Sequence, residues 1–385
     1  MARYGPGGTR SAALALTAAL AVLATGCAGG PAADRAAQLA AAEQRESPSP
    51  APAPDDDAGG GPSGGEEPGT PGAPDGEPEP TPTDPPAAPA EGSATVERTF
   101  ALDGVSAPWG LAVLPDGALL IGSRDTGTVH RLDPDTGDTT TVGTIPGVDS
   151  TGGTGLLGLA ADDGSVYAYY AAGESVRIGR FSHQPDREEG QQLGAFSGMV
   201  TGLPRAAGDG GGRIGLGPDG HFYASVGSDA ATVGEEAAGS LLRTTMGGAP
   251  PAEGNAAAGS PLFAEVRGAV EGFAWDEVGR TWYVDDRGDL GVIPAPDDTA
   301  ATPQTRFTWP PGAAPTGVAY RGSALWITDE SSGGIWRVPL NGPELVDDPR
   351  LITLDGFASP ATVVAGGAGL WVLDPSGVVA EVGTD

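Results

Sequence analysis

The sequence predicts an all-β protein, a six-bladed β-propeller carried behind an export signal and a disordered linker. Three observations predict it: a strand-turn-strand unit that recurs six times after Val96, Asp-Gly turns at one fixed point of that unit, and no amphipathic helical stretch of any length. The 385 residues hold 51 acids against 20 bases, every base is an arginine, and the net charge is −31. Nucleic-acid binding needs a basic footprint that releases counterions, so that class of partner is excluded.

Residues 1–27 read as a lipoprotein signal. Arg3 and Arg10 form a positive start, Ser11 to Leu23 an apolar run, and Ala24-Thr25-Gly26 places small residues before Cys27, the only cysteine. Acylation of Cys27 would hold the protein on the outer face of the cell membrane by lipid alone, since no later run is long and apolar enough to span a bilayer. With no other cysteine, the folded part has neither disulfides nor thiolate metal ligands.

Residues 28–95 read as linker. They contain 15 of the 37 prolines, 13 acids, two arginines and no aromatic residue, so they bury too little apolar surface to offset the entropy of ordering. A flexible chain of that length spans roughly 45 Å, enough for a tether.

Residues 96–385 form the propeller. In the first unit Trp109 to Leu114 precede the turn Pro115-Asp116-Gly117, and further strands follow at Ala118 to Ile121 and Thr128 to Leu132. Later units start near Leu157, Gly212, Glu271, Thr316 and Ala361, at spacings of 48, 55, 59, 45 and 45 residues, each the size of one four-stranded blade. Asp116-Gly117, Asp163-Gly164 and Asp219-Gly220 mark the hairpin where positive φ is needed. Thr99 to Leu102 should close the ring by pairing near Val378 to Val382, hiding the sheet edges. Trp109, Trp275, Trp282, Trp326, Trp336 and Trp371 recur with the strands and read mostly as packing between blades. His130, His183 and His221 read as structural, and Asp133 to Asp138 as a hairpin loop.

Five phrases occur in one order: Pro108-Trp109-Gly110-Leu111-Ala112, Gly155 to Ala160, Gly211-Gly212-Arg213, Gly217-Pro218-Asp219-Gly220 and Gly259-Ser260-Pro261. Together with Ala314 to Gly317 and Ile335 to Leu340, they resemble the PQQ-dependent glucose/sorbosone dehydrogenases, also called soluble aldose sugar dehydrogenases. The resemblance implies a six-bladed propeller with pyrroloquinoline quinone (PQQ) on one face, calcium holding it, and a histidine base that assists hydride removal from a sugar. At the base position this chain has Asp209, in the phrase Asp209-Gly210-Gly211-Gly212-Arg213. Arg213 and Arg243 match family positions and are the candidate cofactor contacts, with Arg267 one residue out of register; blade-to-blade ion pairing is the other reading of Arg213 and Arg243. Asp285, Asp286 and Asp289 fall in the segment where the family is carboxylate-rich, and they are the candidate calcium ligands or an ordinary acidic turn.

Aspartate titrates near 3.9 and histidine near 6.5, so Asp209 is the weaker proton acceptor, and 16 arginines among 38 acids in the domain leave few cations for three quinone carboxylates. The expected function is therefore a membrane-anchored propeller with a degenerate catalytic site, binding a carbohydrate or a protein partner. The alternative is an active PQQ-dependent aldose sugar dehydrogenase that uses Asp209 as base.

Overall fold

The computed structural model describes residues 83–205, 211–228, 238–266, 268–296 and 302–385. Cys27, Asp209, Arg267, the signal segment and the linker up to residue 82 lie outside them. The first strand, β1 (Ala94–Ala101), belongs to the last blade. Blade 1 is β2 (Pro108–Val113), β3 (Leu119–Ser123), β4 (Thr128–Leu132) and β5 (Thr139–Thr144). Blade 2 is β6 (Leu156–Asp162), β7 (Ser165–Ala172), β8 (Ser175–His183) and β9 (Leu193–Pro204). Blade 3 is β10 (Ile214–Leu216), β11 (Phe222–Ser225), β12 (Ser240–Thr244) and β13 (Leu262–Glu265). Blade 4 is β14 (Val270–Trp275), β15 (Thr281–Asp285), β16 (Asp289–Ile293) and β17 (Gln304–Thr308). Blade 5 is β18 (Pro315–Arg321), β19 (Ala324–Asp329) and β20 (Gly334–Asn341), with β21 (Glu344–Leu345) and β22 (Arg350–Thr353) both pairing with β20. Blade 6 is β23 (Thr362–Gly366), β24 (Gly369–Asp374) and β25 (Val378–Thr384), and β1 is its fourth strand.

The ring thus closes as the sequence predicts, with Thr99 opposite Ala380 and Ala101 opposite Val378. The Asp-Gly turns also behave as expected: Gly117, Gly164 and Gly220 have φ of +87°, +111° and +74°. In the first, the Ala118 amide donates to the Asp116 carboxylate at 3.1 Å, which fixes the register of β2 on β3. Strands sandwiched between blades are apolar on both faces, and Leu119, Leu120 and Ile121 are fully buried. Of the six tryptophans read as packing, Trp109, Trp282, Trp326 and Trp371 are buried, while Trp275 and Trp336 are half-buried. His130 is buried within bonding distance of Ser123, and His221 sits against Asp219. Among the described residues no helix is long and apolar enough to cross a membrane.

Residues 83–93 differ from the expectation, because this end of the linker is packed against the outside of the propeller. Asp84 pairs with Arg280 of blade 4 at 2.7 Å, and the Ala88 amide donates to the Leu340 carbonyl at 2.8 Å. Arg337, 2% exposed, donates to the carbonyls of Pro89 and Ala90 at 2.8 and 3.0 Å. The reason is hydrogen-bond supply: a buried guanidinium needs acceptors, and an extended proline-rich segment has carbonyls to offer.

The inner strands position the site. Four of them break register as they leave one end of the ring, between Pro108 and Leu111, Leu156 and Gly158, Val270 and Gly272, and Pro315 and Val318. Each bulge turns a side chain that would otherwise follow the strand alternation, so Trp109, Leu157, Glu271 and Thr316 gather at that end, the mouth. Neighbouring inner strands there approach backbone to backbone. A Cβ on Gly158 would lie 2.2 Å from the Gly212 carbonyl oxygen, and one on Gly272 would lie 2.1 Å from that of Thr316. Glycine is required at both positions by contact, not by φ.

Candidate functional site

The mouth is built from the first residue or two of each inner strand. Arg213, just before β10, lies across the axis. Its Nε donates to the Glu271 carbonyl of blade 4 at 2.7 Å, Nη1 to the Thr362 hydroxyl of blade 6 at 3.0 Å, and Nη2 to the Ala361 carbonyl at 3.3 Å. The guanidinium also stands 5.4 Å from the ring centre of Trp109 in blade 1, where Arg124 stands 4.6 Å away. One side chain therefore ties four blades together, with two carbonyls, a hydroxyl and an aromatic ring among its contacts.

Arg243 is elsewhere. It pairs in register with Tyr223, at the end of blade 3 away from Arg213, and is 5% exposed. Its Nε donates to Asp219 of the Asp-Gly turn at 2.7 Å, and Nη1 donates to the Glu253 carbonyl at 2.9 Å and the Asn255 side-chain oxygen at 3.3 Å. Burial raises the Asp219 carboxyl, but bonds from Arg243, Tyr223 and the His221 amide outweigh it and hold it below the ordinary value. Of the two arginines expected at a cofactor, the structure thus places one at the mouth and one in a turn network. The described bonds of Arg243 lie inside its own blade.

The candidate calcium ligands each accept hydrogen bonds from neighbouring groups. Asp285, 1% exposed, accepts from the Arg287 and Asp289 amides, both at 3.0 Å, and from Arg287 Nη2 at 2.6 Å. Asp286 accepts from the Ala269 amide and the Ser228 hydroxyl, and Asp289 from the Thr308 hydroxyl. The same role recurs at the end of the second strand in the next two blades. Asp329 accepts from the Ser331 amide and the Trp336 indole, and Asp374 from the amides of Ala358, Ser359 and Ser376. Asp285 is the blade 4 copy of a turn cap, paired with Arg287. Among the described residues no group of three or more His, Cys, Asp or Glu side chains could hold a metal ion.

Beside Arg213 a cavity of about 600 Å³ opens between blades 4 and 5. Trp109, Trp309, Glu271, Asp286, Glu330 and the Asp285–Arg287 pair stand among its walls. Trp309, which strand periodicity does not single out, is 4% exposed and follows β17 in the loop Trp309-Pro310-Pro311. With Arg124 and Arg213 counted, the described part of the mouth holds three arginines and four carboxylates.

Six antiparallel blades closed into a ring define a six-bladed β-propeller. The family model described as glucose/sorbosone dehydrogenase matches residues 105–291. The PQQ-bound aldose sugar dehydrogenase of Streptomyces coelicolor is 32% identical, with a TM-score of 0.70 over 78% of this chain and 100% of its own. The chain belongs to the glucose/sorbosone dehydrogenase family. Two further structures share the fold. An oxidoreductase described as a glucose dehydrogenase from Thermus thermophilus is 24% identical with a TM-score of 0.62, over 75% of this chain and 99% of its own. The soluble aldose sugar dehydrogenase of Escherichia coli in its apo form is 19% identical with a TM-score of 0.61, over 76% of this chain and 99% of its own. No curated protein sequence matches the chain.

Proposed function

We propose that this member of the family is an exported, lipid-anchored propeller whose mouth binds a carbohydrate or a protein partner without PQQ turnover. The observation that carries the reading is the charge of the mouth. PQQ brings three carboxylates and needs convergent cations. Arg213 directs its donors to two carbonyls and a hydroxyl, Arg287 is paired with Asp285, and four carboxylates stand in the same region. The described residues are a poor fit for a tricarboxylate. Asp209 at the position of the family's histidine supports the same reading from the sequence, because loss of a suited base lowers rate by roughly 10²- to 10⁴-fold. Calcium has no described ligand set to hold it.

The active reading, a PQQ-dependent aldose sugar dehydrogenase with Asp209 as base, is favoured by one observation: 32% identity across the whole length of the PQQ-bound aldose sugar dehydrogenase of Streptomyces coelicolor. One experiment separates the two. Full-length protein in detergent is titrated with PQQ and calcium, and dye reduction is followed with a panel of aldoses. The expected result is no saturable PQQ binding and no dye reduction. Binding with turnover, abolished by Asp209→Asn, would establish the active reading instead. The anchor is tested separately: the protein should partition into detergent, and Cys27→Ala should release it to the aqueous phase.

A further inference from the structure

Strand direction tells the two faces of the ring apart. The inner strands β2, β6, β14 and β18 start at the mouth, so the turns that end them, among them Asp116-Gly117, Asp163-Gly164 and Asp276 to Arg280, stand on the opposite face. The β20–β21 turn at Gly342 stands there too, because β20 starts opposite Asp329 at the mouth and runs away from it. The segment before β1 runs to this far face. Ser93 and Asp385 bond to each other where β25 of blade 6 ends, and Arg337 of blade 5 donates to the Pro89 and Ala90 carbonyls. The Ala88 amide donates to the Leu340 carbonyl, and Asp84 pairs with Arg280 of blade 4 beside Gly342. Three blades therefore hold one short proline-rich segment. That segment is shaped for its place: Ala88 is 5% exposed, and a Cβ on Gly92 would lie 2.3 Å from Arg337 Nε.

We propose that blades 4, 5 and 6 carry a docking site for this chain's own residues 84–93, and that the site hands the tether off at the face opposite the mouth, so that the anchored protein turns its mouth away from the membrane. This rests on the lipid-anchored reading of Cys27. Each bond in the site can be weak, because a segment joined to its partner by the same chain docks at a high effective concentration. Arg280 closes the far end of the site, shared between Asp84 at 2.7 Å and Asp276 at 2.6 Å. A tether that left at the mouth would carry its acids and prolines past the opening. One that leaves at the far face keeps the opening clear for a ligand or partner arriving from solution.

The test uses the full-length protein in liposomes. Cys27 is the only cysteine, so once it is acylated a thiol introduced by Ser332→Cys in the β19–β20 turn at the mouth, or by Asp163→Cys on the far face, is the sole site for a donor dye. Energy transfer to an acceptor lipid then reports distance from the bilayer. The far-face dye is expected to transfer about twofold more than the mouth dye, since the tether is short enough to keep the propeller near the surface. Ala88→Pro and Gly92→Val alter only the segment; each should speed amide exchange in residues 84–93 about tenfold and bring the two dyes to equal transfer, with little change in melting temperature. Equal transfer with the native segment, greater transfer from the mouth dye, or exchange in residues 84–93 as fast as in a free peptide overturns the proposal. So does a variant that exchanges fast and keeps the unequal transfer. If both variants fail to fold, the two dyes on the native segment still decide. Protein that reaches liposomes equally well with Cys27→Ala refutes the anchored reading itself; anchored protein with equal transfer refutes the orientation alone.

Discussion

Arg213 and Arg243 begin from the same expectation and end in opposite situations. Arg213 precedes the first strand of blade 3 and Arg243 lies in its third, yet Arg243 is enclosed by Asp219, Glu253 and Asn255 of that blade, while Arg213 reaches blades 1, 4 and 6. A residue bonded within one blade serves that blade's shape, and a residue bonded across blades serves the axis where a ligand would enter. The repeated turn aspartates belong with Arg243, and Trp109, Glu271 and Trp309 belong with Arg213.

The largest effect should come from the enclosed arginine. Arg243→Met leaves Asp219 without its cation, and breaking such a buried pair costs about 3–5 kcal/mol. The melting temperature should fall by roughly 6–10 °C, measured by circular dichroism, with ligand affinity unchanged in the folded fraction. A fall of less than about 2 °C would place Arg243 outside the structural class.

Next come the turn caps. Asp374→Ala orphans three amides and should destabilise by about 1–3 kcal/mol, and Asp285→Ala by a similar amount. Added calcium should leave the melting temperature of the unmodified protein where it is. A calcium-dependent rise that Asp285→Ala removes would return Asp285 to the metal ligands.

Arg213→Gln should be milder for stability, about 1 kcal/mol, because two carbonyls and a hydroxyl are among its acceptors and bonds to such groups contribute less than a buried ion pair. It should nevertheless change the affinity of any ligand held at the mouth, because it loosens the contact between blades 3, 4 and 6, whereas Arg243→Met should not. An Arg213 variant that changes stability and ligand affinity no differently from the Arg243 variant would erase the distinction.

The smallest effect is acid sensitivity. The Thr151 hydroxyl and amide, with Arg205, hold Asp149 at about 2, below the ordinary 3.8. A depressed carboxyl contributes stability that is present above 3.8 and lost as pH falls toward about 2. Between those values the decline in melting temperature should be shallower in Asp149→Asn than in the unmodified protein. Equal slopes would show that Asp149 takes no part.

The blades were legible because each carries its own local signals: alternating apolar strands, an Asp-Gly turn, and a spacing that fits four strands. Closure by β1 was legible for the same reason, since an unpaired β-strand at each end of the repeat has one obvious partner. The turn aspartates left a signal that aligning blades would reveal, in Val284-Asp285, Thr328-Asp329 and Leu373-Asp374, each followed by a polar turn. Their proximity to a family motif concealed it. Trp309 left only its place beside Pro310-Pro311, outside any strand pattern.

Sequence alone determined the propeller, its six blades, the strand that closes it and its acidic character, because these depend on local periodicity, turn chemistry and composition. The tertiary structure decided which arginine faces the axis, that Asp285 is capped by Arg287, and that two indoles share a wall with four carboxylates. Those facts depend on bulges that re-aim single side chains and on contacts between residues more than a hundred positions apart, such as Arg213 with Thr362, which no local pattern encodes.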